Sequence, residues 1–336
     1  MYKLIQKLLF LLNAEPAHNL GLFGLKILAK LGLIRLITPK IQDKPIDMMG
    51  IRFPNPVGLA AGMDKNGDYI DCLGALGFGF LELGTVTPRP QPGNPKPRLF
   101  RIKQAQAIIN RMGFNNKGID HLVEQVKKSR YNGIIGINIG KNFDTPIDNA
   151  VDDYLFCFRK AYQFADYIAV NISSPNTKNL RALQAEDQLE KLVKSLKNEQ
   201  KNLRTKFGRY VPFVVKIAPD VTDAEIKAIA RIAKNNAIDG IIATNTTILR
   251  HGVSELKYGQ EVGGLSGKPL KNLSEDVLKK LILGLQGKVP VIGVGGIISG
   301  HDAIDKFDAG AVLVQIYSGF VYRGPKLIQE IIMHRK

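Results

Sequence analysis

Cysteine is scarce in this chain. The 336 residues hold only Cys72 and Cys157, with no Cys-x-x-Cys. That excludes a disulfide framework and a cysteine-ligated zinc site as readings, and it fits a reducing compartment. Both cysteines fall in helical-looking segments and read as small core residues. Long apolar runs are missing too. The longest near the N-terminus is Leu8-Leu-Phe-Leu-Leu12, against the ~20 apolar residues that a spanning helix needs. No small-x-small cleavage site follows it, so a signal peptide is not expected. Acidic residues are outnumbered: 47 Lys and Arg against 30 Asp and Glu give a net charge of +17. Such a surface attracts anions of any class. No block of five basic residues and no nucleic-acid motif accompanies the charge, so nucleic acid is not an expected partner. Metal-ligand clusters of Asp, Glu and His are absent, and so is a Gly-x-Gly-x-x-Gly of the Rossmann kind. Neither a metal nor NAD bound in that mode is expected.

What the chain does have, from about residue 45, is a rhythm of eight short apolar runs. They are Pro56–Ala61, Phe80–Gly84, Ile134–Ile139, Tyr167–Ile172, Phe213–Ile217, Gly240–Thr244, Val289–Val294 and Ala311–Ile316. Helix-length segments lie between most of them, such as Asp223 to Asn235 and Leu270 to Leu285. Continuous apolar strands alternating with helices predict a parallel sheet covered on its outside. Eight such units predict a (β/α)8 TIM barrel over residues 45–336. The stretch Thr87 to Met112 is too long and proline-rich for a plain loop, and reads as an insertion over the barrel mouth, hairpin-like.

Residues 1–44 read as a separate pair of amphipathic helices. Leu4, Leu8, Leu11 and Leu12 share one face, and Asn13-Ala-Glu-Pro16 breaks the pattern. Leu20, Phe23, Ile27, Leu28 and Leu31 then form a second stripe. The segment holds seven basic and two acidic residues, a composition that suits a membrane surface. The stripe could equally pack on the barrel.

In such barrels the active site lies at the C-terminal strand ends. Those ends carry Ala61-Gly-Met-Asp-Lys65, Gly84-Thr85, Asn138, Asn171 to Thr177, Lys216, Thr244-Asn245-Thr246, Gly295-Gly296 and Tyr317-Ser318. Amides, hydroxyls, glycine backbones and two lysines suit a flat heterocycle with carbonyl and N–H edges. Lys216 interrupts a strand that should be buried on both faces. It faces either a ligand or a carboxylate such as Glu82. The glycines after strands seven and eight suit a phosphate, and Gly263-Gly-Leu-Ser-Gly267 reads as a further glycine loop after strand six.

The motifs NISSPNT (171–177), AAGMDKNG (60–67), ELGTVTPRPQPGNPKPRLFR (82–101), INRMGFNN (109–116), GINIGKN (136–142), VKIAPD (215–220), ATNTT (243–247), GGLSGKPL (263–270), IGVGGI (292–297) and QIYSGF (315–320) stand in order along the chain. Together they resemble the dihydroorotate dehydrogenases, and the N-terminal helix pair resembles the extension of the quinone-dependent, membrane-associated class. The resemblance implies FMN as cofactor and oxidation of dihydroorotate to orotate in pyrimidine synthesis, with electrons passed to a membrane quinone. It places FMN on Ala61, Gly62, Met63, Asp64, Lys65, Thr85, Asn138, Asn171, Lys216, Thr244, Gly267, Gly296, Tyr317 and Ser318. Substrate falls to Lys65, Asn110, Arg111, Met112, Gly113, Phe114, Asn171, Asn176, Asn245 and Thr246. The resemblance also implies Ser174 as the base that takes the ring proton, for which a relay through Thr177 and a water beneath Phe114 is the expectation, while Ser173 reads as a cap for the following turn. His18, Arg101 and Tyr317 mark the quinone route. The expectation is a monomer held peripherally on the cytoplasmic side of a bacterial inner membrane, its N-terminal helices serving the quinone and its barrel serving dihydroorotate. Another FMN-dependent barrel oxidoreductase, or a non-enzymatic basic membrane-binding barrel, stands as the alternative.

Overall fold

A computed structural model describes residues 2–177 and 179–335. Its centre is a closed barrel of eight parallel strands: β3 (Val57–Leu59), β4 (Phe80–Val86), β7 (Ile134–Ile139), β8 (Tyr167–Asn171), β9 (Phe213–Ile217), β10 (Gly240–Ala243), β12 (Val291–Val294) and β13 (Leu313–Ile316), with β13 closing on β3. These are the eight apolar runs. Each is followed on the outside by a helix: α3 (Ile70–Gly74), α4 (Ile119–Lys128), α5 (Ala150–Ala161), α6 (Glu186–Phe207), α7 (Asp223–Asn235), α8 (Lys271–Leu285), α9 (Gly300–Asp308) and α10 (Ser318–Arg323), with α11 (Lys326–His334) after the last.

Side chains alternate across each strand. Leu81, Leu83, Ile135, Ile137, Ile168, Val170, Val215, Ile217 and Val314 join the core between sheet and helices. Phe80, Tyr167, Ala169, Val214, Ile242, Ile292 and Leu313 fill the barrel interior with Met48 and Phe53. The last two come from a short hairpin, β1 (Ile46–Met48) and β2 (Ile51–Phe53), that precedes the barrel. Its three-residue strands are too short to show in the hydrophobic pattern. Cys72 and Cys157 are free and buried in α3 and α5.

Over the mouth lies a second sheet. The insertion folds as the hairpin β5 (Leu99–Ile102) and β6 (Ala107–Asn110), and β11 (Gly264–Gly267) adds antiparallel to β6. The glycine loop expected at 263–267 is therefore a strand. Leu265 is the reason: it is buried against Phe100, Ile102 and Ile109. The flanking glycines serve close approach. A Cβ on Gly264 would stand 2.0 Å from Thr246 Oγ1, and one on Gly267 2.2 Å from the Gln106 carbonyl.

The N-terminal pair is α1 (Tyr2–Leu9) and α2 (Ala14–Lys30). Pro16 lies in the first turn of α2 rather than in the break, a position where proline leaves no bond unmade. The stripe does not pack on the barrel. Leu4, Leu8, Leu11, Leu20, Phe23, Ile27 and Leu31 are all exposed, while Ala14, Ala17 and Leu22 face inward. Polar contacts hold α1 instead: Tyr2 Oη donates to the Val321 carbonyl (2.8 Å) and Gln6 Nε2 to that of Tyr322 (2.7 Å). Among the described residues no helix is long and apolar enough to cross a membrane.

Candidate active site

The interior of the barrel turns polar one layer above Phe80. Glu82 is fully buried there. Its Oε1 accepts from Asn138 Nδ2 (2.8 Å), and its Oε2 from Tyr167 Oη (2.9 Å) and Gln315 Nε2 (2.6 Å). Lys216 Nζ stands 3.9 Å from Oε1. Both readings of Lys216 thus meet in one place, because the lysine also lines the cavity above. Burial lowers its pKa and the Glu82 charge opposes that shift.

That cavity lies at the C-terminal strand ends. It is lined by Ala61, Gly62, Lys65, Thr85, Asn110, Met112, Gly113, Phe114, Asn171, Ser174, Asn176, Lys216, Thr244, Asn245, Thr246, Gly267, Gly296, Tyr317 and Ser318. Four expected residues are placed elsewhere. Asn138 sits one layer below and accepts from Thr85 Oγ1 (2.5 Å). Asp64 turns into its own loop and takes the backbone N–H groups of Asp68 (3.0 Å) and Tyr69 (2.8 Å). Arg111 faces away, paired with Glu261 (2.6 Å) and stacked over Phe100. Met63 lines a neighbouring cavity. Two polar lining side chains were not anticipated, Ser266 and Gln315. Ser266 Oγ hydrogen-bonds Ser318 Oγ (2.8 Å). Gln315 Oε1 is buried with no partner among the described residues.

An amide chain organises the wall. Asn171 Nδ2 donates to Thr85 Oγ1 (2.8 Å), Asn245 Nδ2 to Asn171 Oδ1 (3.3 Å) and Asn176 Nδ2 to Asn110 Oδ1 (3.1 Å). The two serines of the motif part company here. Ser173 is fully buried, donating to Asn171 Oδ1 (3.2 Å) and accepting from Asn245 Nδ2 (3.0 Å). Ser174 borders the cavity, and its Oγ accepts from the Asn176 N–H (3.2 Å). Thr177 is buried. Gly296 has φ +79°, and a Cβ there would lie 2.2 Å from Lys271 Cα, so only glycine lets this turn border the cavity.

Lys65 donates to the Gly62 carbonyl (3.0 Å) and lies half-buried in the cavity wall. Burial, and next the Arg98 charge, push its pKa down to about 8, while Glu15 and Asp64 hold it up. The second cavity, about 510 Å³, lies between α1, α2 and the barrel mouth. His18, Arg101 and Tyr317 all line it, and Tyr317 lines both cavities. Burial and the Lys65 charge push His18 down to about 3, so it is neutral near pH 7. Tyr317 is pushed up to about 12 by burial. Arg101 also closes α1: it donates to the Leu9 and Leu12 carbonyls and covers the Phe10 ring. Among the described residues no group of three or more acidic, His or Cys side chains could hold a metal ion.

The family model for dihydroorotate dehydrogenase matches residues 45–334. A dihydroorotate dehydrogenase (quinone) of Cellvibrio japonicus is 60% identical over 328 residues, covering 98% of this chain and 96% of its own. One from Neisseria meningitidis is 56% identical over 332 residues, 99% of this chain and 98% of its own. The crystal structure of an Eimeria tenella enzyme of this name, solved with ferulenol, superposes with TM-score 0.88 at 38% identity, covering 96% of this chain and 90% of its own.

Proposed function

The chain belongs to the dihydroorotate dehydrogenase family, and from that premise we propose that it oxidises dihydroorotate to orotate with FMN and delivers the electrons to a membrane quinone. One observation carries the reading. The cavity that gathers Ser174, Lys65, Lys216 and four asparagines abuts, across Tyr317, an apolar cavity framed by the N-terminal helices.

The residues fit FMN. Gln315 Oε1 is a buried acceptor without a donor, as a flavin imide N–H would supply. Gly267, Gly296 and Ser318 form a glycine and hydroxyl cradle suited to a phosphate. FMN would rest on Ala61, Gly62, Lys65, Thr85, Asn171, Lys216, Thr244, Gly267, Gly296, Tyr317 and Ser318, with Gln315 and Ser266 added and Asn138 acting from beneath. The chemistry FMN supplies when bound is acceptance of two electrons from the substrate and their return to the quinone. The protein's part is orientation and proton handling. Asn110, Asn171, Asn176 and Asn245 present paired donors and acceptors to the amide and imide edges of the substrate. Ser174 takes the proton from the ring carbon, and Lys65 faces the anionic substrate. Arg111 is left out of direct contact because its guanidinium belongs to Glu261.

The second cavity would take the quinone ring, with neutral His18 as a hydrogen-bond partner. The exposed leucines of α1 and α2 would lie in lipid, with the basic residues beside them favouring anionic headgroups. On this reading the protein is peripheral to a membrane.

The test is an anaerobic visible spectrum of the purified protein. Dihydroorotate should bleach a flavin band, and a quinone in anionic vesicles should restore it faster than the same quinone without lipid. A flavin that dihydroorotate leaves unchanged would mean a different FMN barrel oxidoreductase. A colourless protein would mean a non-enzymatic barrel.

The position of Lys65 adds a pH prediction. Its ammonium is fully present below about pH 8 and lost above it. Orotate, an anion, favours the charged form and raises the lysine's pKa on binding. Affinity should be level below pH 8 and then fall, by at most about tenfold per pH unit. Titration of orotate against the flavin spectrum checks this, and level affinity through pH 9 would remove Lys65 from the substrate's surroundings.

A further inference from the structure

Glu15 does not behave like a residue of a surface helix. It stands in the first turn of α2, in an otherwise basic and apolar segment, and its side chain is only 12% exposed. It reaches across to Arg98, just before β5. Arg98 Nε lies 3.2 Å from both carboxylate oxygens and Nη2 lies 2.8 Å from Oε1. The guanidinium is itself 8% exposed, and its remaining nitrogen donates to the carbonyls of Pro92 (2.7 Å) and Asn94 (2.9 Å). Asn94 carries the connection onward. Its Nδ2 reaches the carbonyls of Arg111 (2.9 Å) and Asn176 (3.3 Å), and its N–H donates to that of Met112 (3.1 Å). Asn176 is two residues from Ser174. A continuous polar path thus runs from the N-terminal helix to the loop that carries the serine.

We propose that Glu15 is a positioning residue for the substrate side of the active site, acting through Arg98 and Asn94 on the 111–112 and 174–176 segments. The inference rests on the function proposed above and revises the division of labour expected from sequence, in which the N-terminal helices serve only the quinone. A close-to-buried ion pair of this kind is weak evidence for stability, since apolar replacements often serve as well. Its use here is geometric: the carboxylate fixes the guanidinium through the Nε N–H, shared between its two oxygens, and one Nη2 N–H, which aims the two Nη1 N–H groups at the Pro92 and Asn94 carbonyls. The charges matter too. Arg98 and Glu15 act on Lys65 with opposite sign, and Asp64 adds to Glu15. Without Glu15, Arg98 and Lys65 face each other with less compensation, while His18 is neutral and offers none.

Glu15→Gln in the full-length, FMN-loaded protein tests this. FMN content should match wild type. Orotate affinity should fall about five- to tenfold, and the pH at which that affinity begins to fall should move below 8, because Lys65 has lost a supporting anion. KM for dihydroorotate should rise more than kcat falls. Asn94→Ala, which leaves no charge unpaired, should weaken orotate binding similarly, and the two changes together should cost less than their product. Wild-type orotate affinity in both variants and an unmoved pH midpoint in Glu15→Gln, with only quinone turnover altered, would overturn the proposal. The wild-type control keeps the two readings separate. If dihydroorotate fails to bleach wild-type flavin, the proposed function fails. If it bleaches wild type and both variants bind orotate normally, this inference alone fails.

Discussion

Ser174→Ala is expected to keep its flavin and bind orotate, yet reduce that flavin with dihydroorotate about 100- to 10,000-fold more slowly, the usual span for loss of a general base. Of the two adjacent serines, one is spent on structure: Ser173 is tied to Asn171 and Asn245 and takes no part in the cavity wall. Ser174 is the hydroxyl that borders the cavity, with one backbone N–H bond at 3.2 Å to orient it. A neutral serine is a poor base, so the proton it accepts must be matched by one it releases. The rate should therefore rise with pH, since hydroxide-side conditions favour that release. Ser173→Ala should lower stability modestly and slow the chemistry far less. Anaerobic stopped-flow bleaching of both variants makes the comparison direct. Near-normal bleaching by Ser174→Ala would return both serines to a structural role.

The barrel was legible in the sequence because its strands are covered on both faces. The outward residues between sheet and helices and the inward ones at the barrel base are both apolar, so each strand is an unbroken run. The site was legible for the complementary reason: polar residues such as Lys216 and Thr244 break those runs only near their ends. Gln315 carried the same signal, a polar side chain within Ala311–Ile316, and could have been found by it. Ser266 could not. Its placement depends on β11 pairing with β6 across more than 150 residues of chain, in a glycine-rich stretch with little strand propensity. Side-chain direction in loops was the other loss. Strands have a period and loops do not, so nothing in the sequence turned Asp64 into its loop or Arg111 toward Glu261. Glu15 gave a faint signal as one of two acids in a basic segment, but its partner lies 83 positions away.

Lys216→Met should release the flavin and also destabilise the fold, and the two losses should be separable. Lys216 is the cation nearest the Glu82 carboxylate, at 3.9 Å, deep in the barrel. Removing it leaves the carboxylate with its neutral donors Asn138, Tyr167 and Gln315 but no counter-charge. Breaking a buried pair from one side costs about 3–5 kcal/mol, and the partial distance of this pair and its three neutral donors favour the lower end. Adding Glu82→Gln removes the stranded charge. The double variant should regain most of the lost stability in chemical denaturation of the flavin-free protein. It should not regain the flavin, because the cavity still lacks the ammonium that Lys216 presents from the strand end. A double variant that recovers stability and flavin together would make Lys216 a counter-ion for Glu82 alone. A single variant that keeps a full complement of flavin would do the same, and would move the cavity's cationic contact to Lys65.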